Sequence, residues 1–469
     1  MVKLRRWQSE CLNSVLSHFD GGNKHFLCLA TPGAGKTVMA AEVTARLFDQ
    51  NKIDFVLCFS PSITVADGFK ATFSKRLDQR FDGVIGAVGS SYTYQSMAYF
   101  DDSFWQILNS HRVLVIFDEI HHCSGTTVET SNAWGEEIIL NIQTQAKYTL
   151  ALTGTPWRSD KSPIVLSQYQ SKENTIYCNY VYGLKQAVTD GVCRTPSIVL
   201  IDNEEITLTD HKNNKKIFDS FKSLLNEKSV SYQDIITDQK AMLYILAKGC
   251  ARLTKVRKVN PTAGGLVVAS SVVHASQIIQ ILQNEFKQSA VMVSYQQDEP
   301  SEIINQYRDS TTQWIVAIGM VSEGTDIPRL QVCCHLSRIK TELYFRQVLG
   351  RVLRVNGSID ENAWLYTFSE PNLIKYSYRI EKDLPDTTVV FRDAFKPGFL
   401  DHVTPNTRDH TTMNTSIQTV DIDFPEEQTG INNNLITDNN SNNSNALLYS
   451  FDLLGAFREQ VVATFDSPF

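Results

Sequence analysis

Residues 30–37 read A-T-P-G-A-G-K-T, directly after the apolar run F-L-C-L-A and directly before the helix-forming V-M-A-A-E-V-T-A-R-L-F. A strand, a glycine-containing loop and a helix in that order make a phosphate cradle. Gly33 and Gly35 let backbone amides close on phosphate oxygens, and the helix behind them presents its positive end. Thr31, Pro32 and Ala34 complete the loop. Lys36 is spaced to reach β- and γ-phosphates, and the Thr37 hydroxyl is a candidate magnesium ligand. The strict pattern begins with Gly, where this chain has Ala30.

A second constellation lies some 80 residues on. The strand-like R-V-L-V-I-F ends in Asp118-Glu119-Ile120-His121. A carboxylate at the carboxyl end of a buried strand can hold the magnesium that Thr37 also binds, and Glu119 can polarise the water attacking the γ-phosphate. ATP and Mg2+ are therefore the expected nucleotide and ion. Binding alone is not turnover, because the γ-phosphoryl also needs positive charge in its transition state. Arginines supplied by a second domain are worth roughly 10³–10⁵ in rate.

The elements that must position these groups are legible as apolar runs alternating with helix-like stretches. One block holds 26–30, 53–59, 112–118 and 148–153; another holds 265–270, 290–295, 314–319 and 332–337. Continuous apolar strands are covered on both faces, so each block predicts a doubly wound parallel sheet of the α/β class. The stretch between them, 205–258, is polar and helix-like and ends in the basic cluster Arg252, Lys255, Arg257 and Lys258, which reads as a solvated helix face.

Further motifs make the chain resemble a superfamily-two helicase of the DEAD/DEAH-box type over roughly residues 1–370. L-T-G-T-P-W-R (152–158) is similar to that family's third motif, M-V-S-E-G-T-D-I-P (320–328) to its fifth, Q-V-L-G-R-V-L-R (347–354) to its sixth, and G-L-V-V-A-S-S-V-V-H-A (265–275) to its fourth. The resemblance implies two tandem RecA-like domains with ATP hydrolysed between them. It makes Arg351 and Arg354 arginine fingers, with Gln347 beside them. Gly324 and Asp326 would touch nucleotide, and His121, Thr153 and Thr155 would couple the nucleotide to the nucleic-acid site. Gln8, in L-R-R-W-Q, would recognise adenine; Thr93 and Gln95 in S-Y-T-Y-Q-S-M, with Ser270 and Ser322, would touch nucleic acid. P-S-I-T-V-A-D (61–67) departs from the family's second element, which carries a Leu and a Gln after the Pro. His122, Trp157, Trp314 and Trp364 read as packing residues.

Composition limits the alternatives. With 44 Lys+Arg against 51 Asp+Glu, the net charge of −7 excludes a wholly basic nucleic-acid coat but not local patches. No apolar run reaches the roughly 18 residues that crossing a bilayer needs, and the start M-V-K-L-R-R-W-Q has no signal-peptide core. A cytoplasmic protein without membrane contact is the expectation. The nine cysteines are scattered without a C-x-x-C pair and read as buried thiols.

The expected organisation is a first RecA-like domain over 1–165, a connection over 166–204 and a helical insertion over 205–258. A second RecA-like domain comes next over 259–370, then an extension over 371–431, an Asn-rich linker over 432–445 that predicts partial disorder, and a short apolar tail over 446–469 that docks on the body or on a partner. The function expected is an ATP-dependent helicase or translocase, on DNA rather than RNA because T-G-T-P-W-R and S-E-G-T-D-I-P resemble the motors of restriction and DNA-repair helicases. An RNA helicase, or a nucleic-acid-gated ATPase switch that controls a partner without separating strands, would carry the same motifs. No second active site is legible, so a nuclease or targeting function would come from a partner protein.

Overall fold

The inner strands of the two large sheets are apolar on both sides, and their sandwiching between helices results from that. The computed structural model describes residues 3–170, 175–210, 212–294, 296–297, 299–319, 327–355, 362–382 and 449–464. Its first group of strands is β1 (His25–Ala30), β2 (Phe55–Ser60), β3 (Gly89–Thr93), β4 (Val113–Asp118), β5 (Tyr148–Thr153), the short pair β6 (Gln168–Gln170) and β7 (Thr175–Tyr177), and β8 (Tyr180–Tyr182). Then come β9 (Thr195–Asn203), β10 (Ile206–Asp210), β11 (Lys215–Phe218), β12 (Gly264–Val268), β13 (Ala290–Ser294), β14 (Trp314–Ile318), β15 (Leu330–His335), β16 (Asn362–Phe368), β17 (Tyr449–Leu453) and β18 (Phe457–Ala463). The chain divides into two units, Met1–Ala394 with Tyr449–Phe469, and Phe395–Leu448. All of these strands belong to the first unit.

The first sheet of that unit runs β3-β2-β4-β5-β1-β8, with every pairing parallel. Along β4 the side chains alternate between two cores: Leu114 and Ile116 face one, Val113, Val115 and Phe117 the other. Alternation with both faces apolar is what parallel sheets require. The helix Lys36–Asp49 buries Met39, Ala40, Val43 and Leu47 on this sheet, and Arg6–Asp20 adds Trp7, Cys11, Val15 and Phe19. Trp7 stacks on Tyr182 with ring centroids 4.8 Å apart, tying the amino-terminal helix to β8.

The second sheet runs β13-β14-β12-β15-β16-β9-β18, parallel except for β18, which is antiparallel to β9. All eight apolar runs read from the sequence are strands. The stretch read as a connection holds β8, which joins the first sheet, and β9, which joins the second. In the stretch read as a helical insertion, β10 and β11 pair antiparallel, and the helix Gln239–Arg257 buries Ile245, Leu246, Cys250 and Leu253 in the core of the second sheet. Its polar texture is one face only. On that face Arg252 lies over the Trp364 ring at 3.5 Å and Arg257 donates to the carbonyls of Ala263 and Thr311, at 3.0 and 3.1 Å, while Lys255 and Lys258 are exposed. Trp314 is fully buried, with its indole N–H donated to Gln288.

The apolar carboxyl-terminal segment docks on the body. β17 pairs with β10, and β18 covers the outer edge of β9, an edge that would otherwise offer unpaired backbone. Tyr244 stacks on Phe457 at 4.2 Å and donates its hydroxyl to Glu459. The expectations on Ser322, Gly324 and Asp326, and on the Asn-rich linker 432–445, lie outside the described residues. Among the described residues no helix is long and apolar enough to cross a membrane.

Candidate active site between the two sheets

Sheet register sets the site. Leu29 of β1 pairs with Thr153 of β5, and Asp118 of β4 pairs with Leu152, so the carboxyl ends of three adjacent strands finish level. That is where ligands bind in open parallel sheets. After β1 the chain turns through Gly33 (φ 81°) and Gly35 (φ 92°), a region of backbone space that other residues enter only under strain. The helix Lys36–Asp49 begins immediately, placing Lys36 and Thr37 in its first turn.

The loop is gripped from behind. Gln8 accepts the Arg5 amide at 2.8 Å and donates its own amide to the Gly35 carbonyl at 2.9 Å. The Arg5 guanidinium donates to the carbonyls of Ala34 (2.7 Å) and Gly33 (3.4 Å). Gln8 is buried, and these bonds engage both ends of its amide. Its contacts here are to the phosphate loop itself, and Arg5 shares that work. Sequence reasoning passes over Arg5, although it stands three residues before Gln8, one helical turn away.

Glu119 sits at φ 49°, a left-handed conformation uncommon for a residue with a side chain. The turn aims its carboxylate across the loop. Oε1 receives the Lys36 ammonium at 2.8 Å; Oε2 accepts from the Thr153 hydroxyl at 3.2 Å and the Gly154 amide at 3.1 Å. His121 Nδ1 lies 3.0 Å from the Thr153 hydroxyl and 3.4 Å from Glu119, and the Thr155 amide donates to Thr153 at 3.0 Å. Burial works against both charges of the Lys36–Glu119 pair. The Glu119 and Asp118 carboxylates outweigh it and hold Lys36 above its usual value, while Lys36 and His121 hold Glu119 well below the usual carboxylate range. The pair is ionised at neutral pH.

Two neighbours brace the carboxylate turn. Tyr94 donates its hydroxyl to the Asp118 carbonyl at 2.7 Å, and Arg158 donates to the carbonyls of His121 and His122 at 2.7 and 3.0 Å. Sequence reasoning singles out neither; Arg158 is the last residue of the T-G-T-P-W-R motif itself. Thr93 ends β3 with its hydroxyl on Ser96 at 2.9 Å, and Gln95 comes two residues later, half-buried. Ser270, at the end of the β12 segment of the other sheet, meets His274 Nδ1 at 2.8 Å and accepts from Gln233 at 2.9 Å.

The second sheet's contribution reaches the loop directly. The helix Glu342–Val352 carries Gln347 and the buried Arg351, and Arg354 lies just beyond its end. A Cβ placed on Gly33 would lie 3.0 Å from the Cγ of Arg354, and one on Gly350 would lie 3.1 Å from Pro32. Arg354 therefore crosses the phosphate loop at its glycine, some 320 residues away in the chain. Trp157, at the end of the β5 motif, lies under the Arg346 guanidinium at 5.2 Å, a second contact between the two sheets' elements and the packing position expected for it.

Known proteins divide along the same line. Residues 1–158 match the family model for the type III restriction enzyme res subunit, and residues 249–356 match the helicase conserved carboxyl-terminal domain. An uncharacterized protein of Mycobacterium leprae is 28% identical over 391 residues, covering 81% of this chain and 64% of its own length. The DNA 3'-5' translocase XPB2 of Sulfurisphaera tokodaii is 24% identical, over 75% of this chain and 79% of its own. The chain thus spans a little under two thirds of the mycobacterial relative. Among solved structures, a fragment of a putative type I restriction enzyme HsdR subunit from Vibrio vulnificus aligns with a TM-score of 0.53 at 16% identity, covering 81% of this chain and 67% of that one. The type ISP restriction-modification enzyme LlaBIII bound to DNA aligns with a TM-score of 0.51 at 14% identity, covering 82% and 30%. The two parallel sheets are tandem RecA-like domains, and with two helicase-family models matched in order along it, the chain is similar to the superfamily-two helicases.

Proposed function

We propose that this chain is an ATP-driven motor on nucleic acid, DNA in preference to RNA, that hydrolyses ATP in the cleft between its two RecA-like domains. The observation that carries the reading is Arg354 of the second domain lying across Gly33 of the phosphate loop, beside the ionised Lys36–Glu119 pair. A loop alone would bind; a loop with a trans-domain arginine and a carboxylate base is equipped to turn over. The DNA preference is supported by the relative named a DNA 3'-5' translocase.

In this reading a bound nucleotide draws the Lys36 ammonium from Glu119 onto the β- and γ-phosphates. Glu119 is then free to orient the attacking water, held in place by the Thr153 hydroxyl and the Gly154 amide. Arg351 and Arg354 meet the charge that develops on the γ-phosphoryl. The oxygen donors Thr37 and Asp118 suit a magnesium ion, which would neutralise phosphate charge. Hydrolysis removes what the arginines grip, so the domains part, and the Glu119–Thr153–His121 chain passes that change to the nucleic-acid face. Grip on the strand is through phosphates near Thr93, Gln95 and Ser270, so binding is steeply salt-dependent and sequence-tolerant despite the acidic total charge.

The test is ATPase rate with no nucleic acid, single-stranded DNA, duplex DNA and RNA, alongside displacement of a labelled strand. Stimulation by DNA above RNA, with ATP-dependent displacement, is expected. ATPase stimulated without displacement moves the chain to the class of gated switches, and stimulation by RNA alone overturns the DNA preference.

A further inference from the structure

Arg194 is only 1% exposed, lies in the segment between the two domains just ahead of β9, and belongs to none of the motifs that identify the family. Burying a guanidinium costs several kcal/mol unless its donors are met. Here they converge on one place. Nη1 donates to the carbonyls of Leu330 (3.0 Å), Val352 (3.2 Å), Pro328 (3.4 Å) and Arg354. Val352 is the last residue of the helix that carries Arg351, so the cation also sits where that helix end is negative. The backbone reinforces the grip: the Arg194 amide donates to Leu353 at 2.7 Å, and Cys193 forms an isolated antiparallel bridge with Arg354. On its other side Cys193 points its thiol at the Pro32 carbonyl of the phosphate loop, 3.6 Å away.

Residues 193–194 thus touch the phosphate loop with one side chain and the arginine-bearing segment with the next. An apolar residue would fill the volume at Arg194 without burying a charge, but would take this donor from the carbonyls of Leu330, Val352 and Arg354. A lysine is one bond shorter, so its nitrogen falls short of the point where Nη1 meets these carbonyls, and it has no second nitrogen to set on the Pro328 carbonyl, which Nη2 reaches at 3.5 Å. We propose that Arg194 is a positioning residue for hydrolysis, holding the Leu353–Arg354 segment so that Arg354 faces the γ-phosphoryl of nucleotide on the loop. The inference rests on the hydrolytic reading of the cleft. It concerns placement only, because Arg194 touches carbonyls rather than the reacting atoms.

The test compares the full chain with Arg194→Lys, Arg194→Met, Arg354→Ala and the Arg194→Lys/Arg354→Ala double variant. Four quantities are read for each: melting temperature, DNA-stimulated kcat, affinity for ADP, and affinity for ADP with aluminium fluoride, which mimics the planar γ-phosphoryl. A misplaced Arg354 should leave ADP binding within about threefold of wild type. It should also cut the extra affinity for the fluoride complex at least about tenfold and DNA-stimulated kcat by about 100-fold. The Arg194→Lys/Arg354→Ala double variant should lose little more than Arg354→Ala alone, since Arg194 acts only through Arg354. Should Arg194→Met fail to fold, Arg194→Lys decides. Wild-type kcat in Arg194→Lys, or losses that multiply in the double variant, or ADP affinity falling in step with melting temperature, each overturns the inference. Full turnover in Arg354→Ala removes the hydrolytic role of that arginine and the inference with it; a dead Arg354→Ala beside fully active Arg194 variants removes the inference alone.

Discussion

The two sides of the cleft are assembled by different means. On the first-domain side, Lys36, Asp118, Glu119 and Thr153 sit at the ends of three neighbouring parallel strands, each within a few residues of the strand that places it. On the second-domain side, Arg351 and Arg354 sit at the end of a helix. Their exit is set by Arg194, whose bonds to Val352 and Arg354 span 158 and 160 residues of sequence. In the proposed cycle a locally built site keeps its shape when its partner moves, and a site held by long-range bonds changes with the domain movement. The fixed half suits binding and the movable half suits control of the rate, a division of labour that domain-closing enzymes use.

The largest effect that can test this contrast is on the fixed side. Lys36→Ala should reduce turnover by more than about 10³-fold and weaken nucleotide binding, because the phosphate charge loses its ammonium. Glu119→Gln should reduce turnover by a similar factor while ATP still binds, since the loop and Asp118 remain. Measuring fluorescent-nucleotide affinity beside turnover separates the two; equal loss of affinity in both would erase the distinction between cradle and base.

Next in size is the movable side. Arg351→Ala and Arg354→Ala should keep nucleotide affinity within a few-fold and lose about 10³-fold in nucleic-acid-stimulated kcat. If affinity collapses instead, these arginines belong to the binding half and the comparison fails.

Arg158→Ala should have a smaller and different effect. It removes one donor from the carbonyls of His121 and His122, the second of which keeps the Asn132 amide at 2.8 Å, a loss of about 1–3 kcal/mol at the turn proposed to link the nucleotide to the nucleic-acid face. Basal ATPase should stay within about threefold and DNA stimulation should fall about tenfold. A uniform fall in both rates would place Arg158 in the hydrolytic step instead.

The smallest effect concerns acid. Burial pushes His335 and His274, both in the second domain, down to about 4 from 6.5. The folded state keeps them neutral, so between pH 6.5 and about 4 the unfolded chain binds more protons and stability falls as pH falls; above 6.5 the contribution is complete. His335→Gln should flatten the slope of melting temperature against pH in that window by about one proton. An unchanged slope would mean that His335 is not the titrating group.

The residues of the first-domain half were legible because the phosphate binding, metal ligation and base catalysis proposed for them each need particular residue types at short, fixed spacing. The loop 30–37, the acidic pair at 118–119 and the apolar runs are all local patterns, and local backbone geometry enforces them. Even Arg351 and Arg354 could be named from their motif. What no window of sequence contains is the pairing of distant segments. That β8 joins β1, that β18 returns across the chain to cover β9, and that Arg194 rather than any other arginine is sealed under residues 328–354 depend on which surfaces meet after both sheets have formed. The same holds for Gln8, whose amide the fold spends on Arg5 and Gly35. A hydrogen-bonding side chain looks the same in sequence whatever its partner is, and only the packed core decides which carbonyl it finds.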